Sequence, residues 1–369
     1  MTPTLSSAES KVALRDLEAT SYGEFSERIY DQSYLAGALT HGQMELTFAC
    51  PLKCEFCYCT CYTSQEHTRR ELKTPEVIRI LDEAAAAGCL WMTFSGGDPM
   101  LRPDFREIYD HAQLLGMIVT VFCSGQLLTP NWIEHFRTHP PFKIELPLYA
   151  SDATTHERVS GTPRSFNHTL SNIRAALAAG IPLRIKSKIT TLNTVGIEAL
   201  RALIEDDLGL PFRPSYDLYP RLNSDPAPLA LRLQPRELSN HQERYGREIC
   251  DSNAQAASEA TEGPNLSLFR CAAGVNTFYV NPYGSLVFCT FVRGAAYDLR
   301  SGTLQQGVAW LRAQLLNQTR TPESKCGSCK ISSSCANCPG SAVLETGDMH
   351  QSTEYHCEVN HTVRGVERT

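Results

Sequence analysis

Cys50, Cys54 and Cys57 stand together in the run Ala49-Cys50-Pro51-Leu52-Lys53-Cys54-Glu55-Phe56-Cys57-Tyr58. This C-x3-C-x2-C spacing puts three thiolates on one tight loop. Three thiolates can hold three irons of a [4Fe–4S] cubane and leave the fourth iron open, whereas electron-transfer clusters normally take four cysteines. An open metal position marks a catalytic site rather than a structural one. A zinc loop or chance spacing is the plainer alternative. Phe56 either packs against a bound cofactor or packs ordinarily within the loop. A second group of cysteines closes the chain. Cys271 is followed by twelve residues, Gly284, four residues and Cys289; then come Cys326, Cys329, Cys335, Cys338 and Cys357. A zinc ribbon would space its two pairs by about 15–20 residues, far more than separate Cys329 and Cys335 here. Seven cysteines also exceed one tetrahedral zinc site.

The third feature is Ser95-Gly96-Gly97-Asp98-Pro99, at the end of an expected strand. Paired glycines let backbone approach a ligand closely, and their free N–H and C=O groups can bind the charged amino-acid end of a cofactor. A plain strand-to-helix turn is the alternative. Cys89 and Cys123 read as buried small hydrophobes. Cys59 and Cys61 read as spare thiols, with a catalytic or persulfide role as the other option. No H-x3-H or H-E-x2-H arrangement among the eleven histidines reads as a metal site.

The triad followed by the glycine pair resembles the radical S-adenosylmethionine (SAM) enzymes. In that family a C-x3-C-x-aromatic-C loop holds a [4Fe–4S] cluster with an open iron, and a GGEP-like motif contacts the SAM amino group. Asp98 replaces the family's glutamate and keeps its charge. The resemblance implies SAM contacts from Phe56, Gly96, Gly97, Asp98 and Pro99, and from Ser124, Ser151 and Lys186 at later strands. Pro147 stands where family members often carry serine. The tail resembles the SPASM extension, which holds two auxiliary iron–sulfur clusters, each expected as [4Fe–4S]. It implies interleaved ligands: Cys326, Cys329, Cys335 and Cys357 for one cluster, and Cys271, Cys289 and Cys338 for the other. Cys338 follows two residues rather than the family's three. The fourth ligand of the latter cluster is Cys250, or the position is open or filled by substrate.

These loops need a scaffold to position them. Strand-like segments at 44–48, 90–94, 117–122, 143–148, 182–189 and 212–218 alternate with helix-like segments at 75–87, 103–115, 130–136, 166–179 and 196–207. Pro75 and Pro103 suit first-turn positions, and Gly88, Gly116 and Gly180 suit helix C-caps. The rhythm predicts parallel βαβ units. With the family resemblance, it implies an α/β fold: a partial (β/α)6 TIM-like barrel with a small cysteine-rich C-terminal iron–sulfur domain. The expected division is an N-terminal arm at 1–42, weakly helical around 11–17, the barrel at 43–220, a linker with a helix at 235–250 in 221–269, and the auxiliary-cluster region at 270–369. Asn281-Pro282-Tyr283-Gly284 predicts a hairpin turn between strands at 275–280 and 286–291, and a helix is expected at 304–316.

The 369 residues are 42% hydrophobic and 20% charged, with a net charge of -6. Such a chain buries a core and lacks the basic balance of a nucleic-acid partner. No export signal or membrane-length apolar run is present. The fifteen cysteines therefore read as metal ligands in a cytoplasmic protein rather than as disulfides. The resemblance implies an oxidoreductase or peptide maturase that cleaves SAM to a 5′-deoxyadenosyl radical. It further implies a peptide substrate, a flavodoxin- or ferredoxin-type electron donor, and modification of a ribosomally made peptide. With about 42 residues before the barrel, leader recognition falls to the arm or to a separate leader-binding protein. The alternatives are a dehydrogenase or ligase acting on a small molecule, and a metal-binding scaffold without turnover.

Overall fold

A computed structural model describes residues 21–61, 65–246, 266–333, 335 and 337–366. The expected helix at 11–17 and Cys250 lie outside them. In chain order the elements start with helix α1 (Tyr22–Ala36), strand β1 (His41–Thr47), α2 (Gln65–Arg69), α3 (Thr74–Ala86), β2 (Trp91–Gly96), α4 (Phe105–Leu114) and β3 (Ile118–Phe122). They continue with α5 (Pro130–Thr138), β4 (Lys143–Pro147), α6 (Ala153–Ser160), α7 (Ser165–Ala178), β5 (Leu183–Lys188), α8 (Ile197–Ala202), β6 (Pro214–Ser215) and α9 (Pro235–Tyr245). The C-terminal part adds β7 (Thr277–Val280), β8 (Ser285–Val287), β9 (Ala296–Asp298), α10 (Leu304–Leu311), α11 (Pro339–Thr346) and α12 (Glu354–Arg364).

Strands β1 to β6 pair in sequence order, all parallel. This is the partial (β/α)6 barrel. Side chains alternate across the sheet, as strand geometry requires. Met44, Leu46, Met92, Phe94, Val119, Val121, Ile144, Leu146 and Ile185 are buried in the core. The alternate positions, Gln43, Glu45, Ser95, Thr120, Glu145, Arg184 and Lys186, put polar groups on the other, concave face.

Several elements depart from the sequence pattern. Pro103 precedes α4 rather than opening it, because Asp104 is the helix N-cap. Pro75 does lie in the first turn of α3. Gly88, Gly116 and Gly180 each sit one residue beyond the capping residue with positive φ, where glycine carries no steric cost. The last barrel strand shrinks to Pro214–Ser215. A proline cannot donate to a ladder and is tolerated at a sheet edge, which is where β6 lies. Helices α1, α2, α6, α11 and α12 and strand β9 are additions to the expected set. The C-terminal hairpin also joins the barrel sheet: β7 runs parallel to β1, from His41 opposite Thr277 to Met44 opposite Val280. Beyond it, β8 and β9 pair antiparallel.

Candidate active site

The triad loop leaves the C-terminal end of β1 and is held from two sides. On one side it abuts the glycine pair. Gly97 N–H donates to Thr47 C=O at 2.7 Å, and Asp98 N–H donates to Ala49 C=O at 2.8 Å. A Cβ at Gly96 would lie 2.0 Å from the Thr47 carbonyl oxygen, and one at Gly97 would lie 2.2 Å from that of Ala49. The two glycines are thus dictated by neighbouring backbone, because any side chain would push the triad loop away. On the other side, Lys53 N–H donates to Ser160 C=O at 2.9 Å and Glu55 N–H to Val159 C=O at 3.2 Å. Both acceptors are at the end of α6. Gly161 closes that helix in the left-handed region, at φ 60, and leaves room for the Lys53 carbonyl, 2.3 Å from where its Cβ would be.

Asp98 is fully buried. Its carboxylate accepts from Met100 N–H at 2.9 Å, from Ser124 N–H at 3.0 Å and from the Ser124 hydroxyl. Burial pushes its carboxyl up from the usual range while those bonds pull it down. Asp98 and Ser124, both read from sequence as SAM contacts, are therefore bonded to each other and tie the β2 loop to the β3 loop. Pro99 is buried in the short turn that Asp98 caps.

The three triad sulfurs sit half-buried under this frame. Cys54 Sγ lies 3.4 Å from the Tyr149 hydroxyl. Burial, then the neighbouring Cys57 and Cys50 thiols, raise its thiol well above the ordinary value. Cys57 is held well below it by sulfur hydrogen bonds to Cys59 and Cys61, the latter at 3.9 Å. Phe56 meets the Tyr149 ring edge-on at 5.2 Å. Tyr149 in turn stacks on the buried His156 and donates its backbone N–H to His156 Nδ1 at 3.3 Å. Among the described residues no three His, Cys, Asp or Glu groups converge on a single-ion site. A cubane offers each thiolate a different iron, so the three-thiol donor set on one loop fits a cluster.

In the tail, Cys326, Cys329, Cys335 and Cys357 line one cavity of about 100 Å³, together with Arg270, Arg320 and His361. Cys329 Sγ is 3.6 Å from His361 Nε2. Arg270 donates to the carbonyls of Ser332, at 2.6 Å, and Cys335. Cys271, Cys289 and Cys338 form a separate group. Burial, then Cys338 and Cys271, push the Cys289 thiol up to about 12.

Residues 44–206 match the model of the Radical SAM superfamily. The chain carries a radical SAM domain. An AdoMet-dependent heme synthase of Methanosarcina barkeri is 26% identical over 84% of this chain and 94% of that protein. A PqqA peptide cyclase of Granulibacter bethesdensis is 36% identical over 40% of this chain and 39% of that protein. Among solved structures, Streptococcus suis SuiB bound to precursor peptide SuiA superposes with a TM-score of 0.67 at 16% identity, over 92% of this chain and 81% of that one. That likeness is one of fold.

The tail reaches back into the radical SAM domain just after Cys289. Arg293 donates to the buried Glu45 carboxylate at 2.6 Å. Phe291 meets the ring of Tyr58 at 5.4 Å and that of Tyr219 at 4.2 Å. Lys186 lies on the concave face, 2.8 Å from Glu145 and over the Phe122 ring at 5.2 Å. Lys143 and Arg184 approach the same carboxylate at 3.1 and 3.5 Å. Ser151 is half-buried between β4 and α6. Cys89 and Cys123 are both buried. Sequence reasoning did not reach Glu45, Tyr149, His156 or Arg293. The alternation of polar residues along β1 pointed toward Glu45. The other three depend on loops brought together only by the fold. Among the described residues no helix is long and apolar enough to cross a membrane.

Proposed function

We propose that this chain is a radical SAM maturase acting on a ribosomally made peptide. Cys50, Cys54 and Cys57 would hold the catalytic [4Fe–4S] cluster, with SAM at its open iron. When bound, that pair supplies a 5′-deoxyadenosyl radical able to abstract hydrogen from an unactivated C–H bond. The protein's part is positioning. The backbone of Gly96 and Gly97 seats the triad loop, Tyr149 and Phe56 wall it, and the polar concave face receives substrate. Cys326, Cys329, Cys335 and Cys357 would hold one auxiliary cluster; Cys271, Cys289 and Cys338 would hold a second. The barrel at 43–220 and the auxiliary region at 270–369 would serve one site, with electrons from a flavodoxin- or ferredoxin-type donor.

The observation carrying this reading is the single cavity shared by four tail cysteines that sequence order separates. The peptide as substrate is supported by the peptide-cyclase relative and by the fold of SuiB with its precursor. Thioether or carbon–carbon crosslinking and epimerisation are all within this chemistry. One observation favours a second reading, a small-molecule substrate: the heme-synthase relative aligns over far more of the chain than the peptide cyclase does. Three cations around Glu145 would suit the carboxylates of either substrate.

Anaerobic reconstitution tests the cluster assignment. Three cubanes require about twelve irons and twelve sulfides per chain, and dithionite with SAM should yield 5′-deoxyadenosine. Iron near four per chain would remove the auxiliary clusters, and absent 5′-deoxyadenosine would remove the catalytic reading. Co-expression with short peptides encoded beside this chain, followed by mass spectrometry, tests the substrate. A mass change in such a peptide supports maturation, whereas turnover of a tetrapyrrole alone favours the small-molecule reading.

A further inference from the structure

Cys61 is a thiol that the three-cysteine site does not require, yet it lies within that site. Its Sγ is 3.9 Å from Cys57 Sγ, and it is within hydrogen-bonding reach of Cys50 and Cys59 as well. Cys54, the remaining triad member, faces the Tyr149 hydroxyl instead. The two extra thiols differ in their surroundings. Cys59 is 3% exposed, whereas Cys61 is only half-buried. The 3.9 Å separation is a contact between two thiols, since a disulfide bond measures about 2.05 Å.

We propose that Cys61 is a displaceable fourth thiolate for the cluster held by Cys50, Cys54 and Cys57, occupying the open iron until SAM takes it. The proposal rests on the triad holding a cubane. Its physical basis is proximity: a thiol four residues from Cys57 on the same loop reaches the iron at a high effective concentration. On ligation the Cys61 thiol releases its proton to solvent. On SAM binding it leaves the iron and regains a proton, and no electron moves in either step. A resting cluster with four protein thiolates resists loss of its fourth iron. The corresponding cost is weaker SAM binding, because only the fraction of molecules with the position free can bind.

The test uses the full chain, anaerobically reconstituted, as wild type, Cys61→Ala, Cys61→Ser and Cys89→Ala. Each is mildly oxidised and its three-iron cluster signal measured by electron paramagnetic resonance. SAM affinity is measured by equilibrium binding, and 5′-deoxyadenosine after dithionite. Both Cys61 variants should show a larger three-iron signal. They should also bind SAM about tenfold more tightly, if the thiolate holds the position in nine molecules of ten. Cys89→Ala, at a buried thiol bonded to the Trp91 carbonyl, should match wild type in both. Unchanged signal and affinity in the Cys61 variants, with wild type cleaving SAM, overturns this proposal alone. The same unchanged values with no cleavage by wild type overturn the functional reading as well. Failure of both Cys61 variants to retain triad iron would make Cys61 an obligatory ligand or structural thiol, and also overturns the proposal.

Discussion

The triad loop and the tail cavity both gather cysteines, but different forces hold them. The triad loop is fixed by backbone hydrogen bonds to β2 and α6 and rests on the barrel core. The cysteines from Cys326 to Cys338 lie in turns, with no helix or strand among the described residues of that stretch. Ile331 is its buried aliphatic side chain, and two arginines line its cavity. The first region is built by the fold before any cofactor arrives. The second has little apolar burial of its own, so on the proposed reading a bound group would contribute much of its folding free energy. On that reading the catalytic centre is preorganised, whereas the auxiliary one is assembled by what it binds.

Removing metal is the strongest way to break this comparison. Chelation under reducing conditions should collapse hydrogen-exchange protection in 320–360 while leaving β1 to β5 protected. Equal loss in both regions would erase the distinction. Next in size is Gly97→Ala. Its new methyl would press on the Ala49 carbonyl, costing on the order of 3 kcal/mol if the loop holds. SAM-cleavage rate and thermal unfolding together report whether the loop yields instead. Wild-type cleavage with unchanged stability would show that the abutment is not constraining.

Acid reaches its full effect only near pH 4. Burial lowers the His156 pKa to about 4, against about 6.5 when unfolded. The unfolded chain therefore binds the proton first as pH falls. Stability is full above about pH 6.5 and declines toward pH 4, by up to ~3 kcal/mol for a shift of this size. Since His156 stacks beneath Tyr149, the wall beside Cys54 should loosen over that window. His156→Gln should flatten the pH dependence of unfolding, and an unchanged profile would remove His156 from the account.

Much of this arrangement was legible in the chain itself. Period-two alternation, prolines at helix starts and glycines just past helix ends mark the βα units. Short cysteine spacings mark both thiol-rich regions. What escaped was either weakly patterned or non-local. Helix α6, Ala-Thr-Thr-His-Glu-Arg-Val-Ser, contains several weak helix formers and forms between the Asp152 cap and the Gly161 stop. Strand β7 reads as half of a hairpin because its other partner, β1, is more than two hundred residues away. The glycine pair read as a ligand cradle, yet its first demand is the carbonyl of the adjacent strand end. Arg293 and Glu45 meet only because the tail folds back, and no local spacing announces such a pair.

That returning strand also sets an order of events during synthesis. Until Thr277–Val280 emerges from the ribosome, β1 is an unpaired edge along His41–Met44. An exposed edge of parallel sheet can accept a strand from another chain, and pairings this distant in sequence form slowly. The barrel therefore spends most of its translation open on the side that bears the triad. On the proposed assignment, iron–sulfur delivery to Cys50, Cys54 and Cys57 would have its widest access in that interval, before the hairpin closes the sheet.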